Sequence, residues 1–258
     1  MTTHRERIVE QFTQQAVPFS TAPLISDQAL LQLLVEASGA GPDDMVLDVA
    51  CGPGLVACAF ARSARHVTGI DVTPAMIARA QAVAAEQHVS NVDFRLGDVS
   101  PLPFPDATFS VVVSRFAFHH FPDPGAVLGE MRRVCRPGGR VVVADLTVSS
   151  EPAKAETFHR MEILRDPSHA RALSLEELRA LFEAQRLSPW HETPFRMDVD
   201  LEGVLQRSFP KPGDEEVIRR MFEDSLPDDS MGLEVRRHKR RLWFTYRNVI
   251  LVAVRPRE

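Results

Sequence analysis

The sequence has little of what a secreted, disulfide-bonded or membrane-spanning protein needs. It contains three cysteines in 258 residues, an odd number, which is typical of reduced thiols in a cytoplasmic protein. No segment approaches the ~20 consecutive apolar residues of a membrane span. The first residues, Met-Thr-Thr-His-Arg-Glu-Arg, lack the apolar core of a signal peptide. We therefore expect a cytoplasmic protein with no membrane contact.

An excess of positive charge is also missing, since the formal net charge is −5 at pH 7. This balance gives no general attraction to nucleic acid. The basic run 236–241 is the exception, and a solvated helix end or loop before a strand is favoured over a nucleic-acid-binding arm. No Cys/His set has the spacing of a zinc site, and the adjacent rings of His119 and His120 are expected to diverge. We expect no bound metal.

The most informative segment of the chain lies between residues 46 and 71. An apolar run contains Asp48 and leads into a small-residue turn with Gly52 and Gly54; a helix-like segment and a second apolar run ending in Asp71 follow. This order of strand, turn, helix, strand and acid is typical of a nucleotide-binding unit. Both glycines would let a ligand approach the backbone. The segment therefore predicts a nucleoside ligand.

The turn favours one class of nucleoside over another. A dinucleotide site has a third glycine, but Ala57 or Cys58 occupies that place. The carboxylate of Asp48 would repel a pyrophosphate, whereas it suits a ligand that carries a cationic amine. We therefore expect S-adenosylmethionine as the cofactor, with a nicotinamide-dependent dehydrogenase as the alternative.

Further motifs follow in order along the chain. They are a short strand ending at Asp98, a strand at 109–114, the run Phe-Ala-Phe-His-His-Phe at 116–121, a helix at 124–135, and Arg-Pro-Gly-Gly before a strand at 140–146. With these motifs, residues 40–150 resemble class I S-adenosylmethionine-dependent methyltransferases. The resemblance is greatest to the branch that includes the ubiquinone/menaquinone-biosynthesis methyltransferases. It implies an α/β fold with a Rossmann-like seven-stranded mixed sheet, helices on both faces and helical cap insertions.

The resemblance also implies roles for individual residues. The turn Asp-x-Gly-x-Gly-x-Gly of the family corresponds to residues 48–54, with Ala50 at the first glycine. It places Asp48 at the methionine amino group, Asp71 at the ribose hydroxyls and Asp98 at the adenine amino group, with the Val99 amide near the ring. The complete set of expected cofactor-binding residues is Asp48, Ala50, Cys51, Gly52, Gly54, Asp71, Val72, Met76, Asp98, Val99, Ser114 and Arg115.

The acceptor site is expected outside this core. We interpret residues 1–258 as one methyltransferase domain, with 40–150 as the cofactor-binding core and with 1–39, 152–170 and 201–238 as cap segments that bind the substrate. His119 is the candidate general base, because the pKa of histidine lies near neutrality; a structural role is the alternative. The expected substrate-binding residues are Phe12, Phe19, Phe116, His119, Phe158, Met161 and His169.

The expected reaction is methyl transfer to O, C or N of a small acceptor, aromatic or quinone-like. Residues 114–117 read Ser-Arg-Phe-Ala and not Asn-Pro-Pro-Tyr, which argues against N-methylation of adenine or glutamine. Arsenite is disfavoured because Cys51, Cys58 and Cys135 are scattered. The alternatives are an RNA or protein methyltransferase and a non-catalytic S-adenosylmethionine-binding protein. The sequence leaves the oligomeric state open.

Overall fold

The computed structural model describes residues 2–188 and 190–257. The helices are α1 (His4–Ser20), α2 (Gln28–Ser38), α3 (Leu55–Ala61), α4 (Pro74–Glu86), α5 (Pro124–Val134), α6 (Pro152–Arg165), α7 (Leu175–Ala184), α8 (Leu201–Ser208) and α9 (Asp214–Asp224). The strands are β1 (Met45–Val49), β2 (His66–Asp71), β3 (Val92–Leu96), β4 (Phe109–Arg115), β5 (Cys135–Thr147), β6 (Trp190–Asp200), β7 (Arg236–His238) and β8 (Arg241–Val254). A 3-10 turn spans Phe118–His120.

One mixed sheet organises the chain in the order β3-β2-β1-β4-β5-β8-β6. The five strands from β3 to β5 are parallel, whereas β8 is antiparallel to both β5 and β6. The predicted seven-stranded mixed sheet is therefore confirmed, and the three-residue strand β7 adds to it by pairing with β8. The chain order reverses between β1 and β4, and such a switch leaves a crevice at the carboxyl ends of the strands.

Local sequence explains where several elements begin. The inner strands β1 and β4 are buried almost throughout and read as apolar runs because helices cover both faces of a parallel sheet. The order Ser174-Leu-Glu-Glu177 predicts a capping box, which is confirmed: the Ser174 side chain accepts from the Glu177 N–H while the Glu177 carboxylate accepts from the Ser174 N–H. Thr3 and Glu6 form the same box at the start of α1.

Three hydrophobic clusters surround the sheet. One face packs against α5 and α7 through residues such as Leu128 and Phe182. The other face packs against α2 and α3 through residues such as Leu34 and Phe60. The third cluster lies beyond the end of β5, where α6, α8 and α9 pack on the extended β6–β8 pair; it includes Phe158, Met161, Ile218, Phe222 and Phe244.

The insertions that the sequence predicts at 152–170 and 201–238 contain α6, α8 and α9. The sequence also predicts a sixth strand at 189–200. This strand corresponds to β6, and its expected first residue lies outside the described residues. No helix among the described residues is long and apolar enough to cross a membrane.

The basic run at 236–241 forms a hairpin, so the expected helix end is wrong, and the expected loop before a strand is confined to the exposed turn at 239–240. It contains β7 and the start of β8, which pair antiparallel. Arg236 lies 2.8 Å from an Asp198 carboxylate oxygen, and Arg241 lies 3.1 Å from Asp200. Acidic partners on β6 therefore balance charges that a nucleic-acid-binding arm would present to phosphates.

Candidate functional site

A cavity of about 370 Å³, here called the outer cavity, lies at the carboxyl ends of β1, β2 and β4. Its volume is within the range of about 300–1,000 Å³ that is common for small-ligand sites. The structure brings nine of the expected cofactor-binding residues to its wall: Ala50, Cys51, Gly52, Asp71, Val72, Met76, Asp98, Val99 and Arg115.

The carboxylate of Asp71 ties the end of β2 to the turn after β1. Its Oδ2 accepts from the Gly52 N–H at 2.9 Å and its Oδ1 accepts from the Thr73 N–H at 2.8 Å. Burial raises the pKa of Asp71, and these backbone donors oppose the shift. Each carboxylate oxygen keeps a further lone pair that a ligand hydroxyl can reach.

The two glycines of the turn serve different purposes. Gly52 lines the outer cavity at φ +51°, and a Cβ added there would meet no atom within 4 Å. Gly54, at φ +78°, would bring a Cβ to 2.8 Å from both the Ala80 Cβ and the Phe94 ring. The expectation that both glycines admit the ligand is therefore wrong for Gly54, which lets the turn pack against α4 and β3.

Asp48 lies beneath the turn and does not line the outer cavity. Its Oδ2 is buried without a hydrogen-bond partner. Burial raises its pKa to about 8, although the nearby charge of Arg115 opposes the shift. The Arg115 guanidinium itself donates to the Ile25 carbonyl at 2.5 Å. A buried carboxyl with one unsatisfied oxygen fits a ligand that brings an ammonium group to the other side of the turn.

One other expected position needs correction. The Oγ of Ser114 donates to the Val49 carbonyl at 2.9 Å and is buried between β4 and β1, so it does not face the outer cavity. Val99 lines the outer cavity, and its N–H donates to Asp98 Oδ1 at 2.7 Å. The other Asp98 oxygen lies 3.5 Å from Nε of Arg5, at the start of α1.

A second cavity of about 130 Å³, here called the inner cavity, adjoins the outer one. Phe12, Phe19, Ile25, Phe116 and His120 line both cavities. The remaining wall comes from the ends of β5 and α6 and from β6, β8 and α8; it includes Met197, Val199, Val204, Tyr246 and Asn248. A ligand in one cavity therefore lies beside a ligand in the other.

His119 lines the inner cavity and is held by Asp145 on β5. Its Nδ1 lies 2.6 Å from Asp145 Oδ1, and Asp145 Oδ2 accepts from the Phe118 N–H at 2.7 Å. Burial lowers the pKa of His119, but the charge and hydrogen bond of Asp145 outweigh it, so that the pKa is raised overall. A carboxylate that holds Nδ1–H leaves Nε2 as the basic atom.

His120 is not among the site residues expected from the sequence, yet it lines both cavities. Its Nδ1 lies 3.1 Å from the Ser168 carbonyl oxygen, and the Ser168 hydroxyl donates to Asp166 at 2.5 Å. Burial and the neighbouring His119 lower its pKa to about 4. The two rings lie 4.3 Å apart. The expected divergence is therefore wrong, because Asp145 and Ser168 hold both rings at the same cavity wall.

Three expected substrate-binding residues lie elsewhere. Phe158 and Met161 are buried in the third cluster, and neither lines the two cavities. His169 also lies outside both walls, with its Nε2 3.1 Å from Nδ1 of His159. Helix α6 directs these apolar residues at the core; its polar Glu162 is fully buried and accepts from the Tyr246 hydroxyl at 2.6 Å and from Arg165 at 2.5 Å.

Comparison with known proteins agrees with this geometry. A family model of the methyltransferase domain matches residues 47–143. The chain is 30% identical over 196 residues to the uncharacterized methyltransferase YcgJ of Bacillus subtilis, over 76% of this chain and 78% of that protein. The chain belongs to the methyltransferase family. The crystal structure of YcgJ matches this methyltransferase with a TM-score of 0.82 and 26% identity, over 88% of this chain and 98% of that chain.

Two further proteins complete the comparison. An arsenite methyltransferase of Halobacterium salinarum is 33% identical over 178 residues, which are 64% of this chain and 44% of that protein. Geranyl diphosphate C-methyltransferase of Streptomyces coelicolor, crystallised with S-adenosyl-L-homocysteine, shares the fold at a TM-score of 0.62 and 20% identity, over 89% of this chain and 79% of that chain. This methyltransferase is a class I enzyme that uses S-adenosylmethionine. The open face of Gly52, the Asp71 carboxylate and the unpartnered Asp48 oxygen fit that cofactor.

The first prediction concerns Asp71. We expect Asp71→Ala to weaken S-adenosylhomocysteine binding about 10- to 150-fold, because an ionised acceptor facing the ribose is worth about 1.5–3 kcal/mol. Isothermal titration calorimetry measures the change. The control is Asp93→Ala, which removes an exposed carboxylate from β3 outside the cavity. If Asp71→Ala binds S-adenosylhomocysteine as tightly as the wild type, Asp71 does not bind the cofactor.

The second prediction separates the two glycines. We expect Gly52→Val to lose S-adenosylhomocysteine binding, because its side chain enters the open space of the cavity, and to lose less stability than Gly54→Val, because it is strained at φ +51° but meets no neighbouring atom. Gly54→Val should lower the free energy of unfolding by about 1–3 kcal/mol or more, because its side chain collides with Ala80 and Phe94. Urea unfolding and calorimetry distinguish the two. Tight cofactor binding by a folded Gly52→Val protein would contradict the placement of the ligand at this turn.

Proposed function

We propose that this methyltransferase methylates O, C or N of a small aromatic or quinone-like acceptor that binds in the inner cavity. The observation that carries this proposal is the inner cavity itself, which has aromatic walls and shares Phe116 and His120 with the outer cavity. Its volume of about 130 Å³ suits a single ring, since an apolar protein cavity of about 150 Å³ can hold benzene.

We further propose that the protein belongs to the branch that includes the ubiquinone/menaquinone-biosynthesis methyltransferases. We also propose that the chain forms a single domain with a cofactor-binding core at 40–150, and that the segments around α1, α6, α8 and α9 form a cap. The walls that α1 and α8 contribute to the inner cavity support the cap assignment. A cytoplasmic location is supported by the three free, buried cysteines.

The side chains of the inner cavity suit removal of a proton from an acceptor hydroxyl or amine. When bound, S-adenosylmethionine supplies a methyl group on a sulfonium, and the C–S bond breaks as the acceptor bonds to that methyl, leaving the electron pair on sulfur. We propose that Nε2 of His119 takes the proton that the methyl acceptor loses. Asp145 fixes the tautomer of His119 and stabilises the imidazolium that results.

Other acceptor classes receive less support. Arsenite would require several thiolates, but Cys51 alone of the three cysteines lines the outer cavity. Burial raises the pKa of Cys58 to about 11 and that of Cys135 to about 12, which keeps both as thiols. RNA is disfavoured by the net charge of −5 and by the ion pairs that occupy Arg236 and Arg241.

The experiment that tests this proposal uses methyl-deuterated S-adenosylmethionine. The full-length protein is incubated with the cofactor and with a cell extract divided into metabolites and macromolecules, and labelled products are identified by mass spectrometry. We expect labelled methylated products in the metabolite fraction and much less label with Asp71→Ala at a limiting concentration of the cofactor. Label confined to RNA or protein, or absent from every fraction, would overturn the proposal.

The third prediction concerns pH. A base must be neutral, so the raised pKa of His119 predicts that turnover falls as pH drops through a value above the ordinary 6.5. Asp145→Asn removes the charge that raises this pKa while burial still lowers it, so the acidic limb of the pH–rate profile should move to lower pH. His119→Ala should reduce the rate about 10²-fold or more and abolish the limb. If the acidic limb of the pH–rate profile does not move in Asp145→Asn, His119 is not the base and its role is structural.

A further inference from the structure

Two neighbouring imidazoles present the same kind of atom to the inner cavity. In His119, Nδ1 faces the Asp145 carboxylate, and in His120, Nδ1 faces the Ser168 carbonyl. A carboxylate and a carbonyl can only accept, so Nδ1 carries the proton in both neutral rings. Each Nε2 therefore carries a lone pair, and neither has a hydrogen-bond partner among the described residues.

Asn248 adds a further acceptor to this wall. Its amide nitrogen donates to the Tyr246 carbonyl at 2.9 Å, whereas its Oδ1 is buried without a partner. Two donors of the wall are occupied: the Tyr246 hydroxyl donates to Glu162, and Arg165 donates to Glu162 and to the Ser208 hydroxyl. Arg207, the other cation of the wall, makes no hydrogen bond among the described residues, although the charge of Asp200 acts on it. Free acceptors therefore lie on His119, His120 and Asn248, and a free donor lies on Arg207.

A ligand that covers His119, His120 and Asn248 must therefore supply donors. An acceptor that a ligand buries without giving it a partner is costly, and a ligand with matching donors avoids that cost. The ring centroids of His119 and His120 lie only 4.3 Å apart, so the two acceptors suit donors on neighbouring atoms. One isolated donor would satisfy only one of them.

We propose that the acceptor is a ring with two adjacent hydroxyl groups, one held by His119 and the other by His120. This inference rests on the proposed function. The reacting hydroxyl gives its proton to Nε2 of His119 as its oxygen bonds to the methyl carbon and the C–S bond breaks, with the electron pair left on sulfur. The second hydroxyl keeps its proton and donates it to Nε2 of His120.

The two histidines differ in role because of their neighbours. Asp145 directly balances a charge on His119, whereas His120 reaches Asp166 only through Ser168. Once His119 is charged, a second cation at 4.3 Å would be repelled in this buried site, so His120 remains neutral. His120 therefore determines specificity and takes no proton.

The fourth prediction uses catechol and resorcinol, isomers that differ only in whether their two hydroxyls are adjacent. Calorimetry measures the binding of each to the full-length protein saturated with S-adenosylhomocysteine. We expect catechol to bind about tenfold more tightly, as one additional hydrogen bond provides. His120→Leu should abolish this preference, and His120→Gln, which keeps an acceptor oxygen, should retain part of it. His66→Leu is the matched control outside both cavities.

Three results would overturn the inference. They are equal binding of the two isomers to wild type, no binding of either, and a preference that persists in His120→Leu. An unchanged melting temperature and an unchanged far-ultraviolet circular-dichroism spectrum show that each variant is folded. A labelled metabolite without adjacent donors would likewise overturn this inference, but the proposed function would stand; label found only on macromolecules would overturn both.

Discussion

The hydrogen bonds of one carboxylate, Asp71, hold the cofactor site together. Asp71 ends β2, and it accepts from the backbone of Gly52, in the turn after β1, and of Thr73, in the turn before α4. The turn is thereby fixed at the point where the strand order reverses between β1 and β4. Close packing of Gly54 against Ala80 and Phe94 fixes it from the other side. The outer cavity is the space that this arrangement leaves open.

Helix α1 connects this site with the rest of the molecule. Its residues Phe12 and Phe19 line both cavities, and Gln11 donates to the Ser208 carbonyl at the end of α8 at 2.5 Å. The His4 ring donates to the His120 carbonyl at 2.7 Å. A segment far from the glycine turn in sequence thus covers the outer and inner cavities together, and such a cover helps to exclude water from a reaction.

The sequence predicts the residues of the outer cavity better than those of the inner cavity, for a physical reason. Asp71 and Gly52 belong to a turn and a strand end that follow each other closely, so their pattern is visible in one segment. The inner cavity instead combines residues such as Phe12, His120 and Asn248, whose proximity depends on the packing of α1, α8 and the β6–β8 pair.

The incorrect residue assignments have the same origin. Phe158 and Met161 are apolar residues on a helix, and a helix face that packs into a core has the same composition as one that lines a pocket. Ser114 lies at a strand end as expected, yet its hydroxyl is used by the Val49 carbonyl. Only the structure shows which side of the strand it occupies.

The most direct test of the account is a crystal structure of the protein with S-adenosylhomocysteine. The account predicts that both ribose hydroxyls lie within hydrogen-bond distance of the Asp71 carboxylate and that the sulfur atom faces the inner cavity beside Phe116 and His120. A ligand with its ribose away from Asp71, or with its sulfur directed away from the inner cavity, would contradict the account.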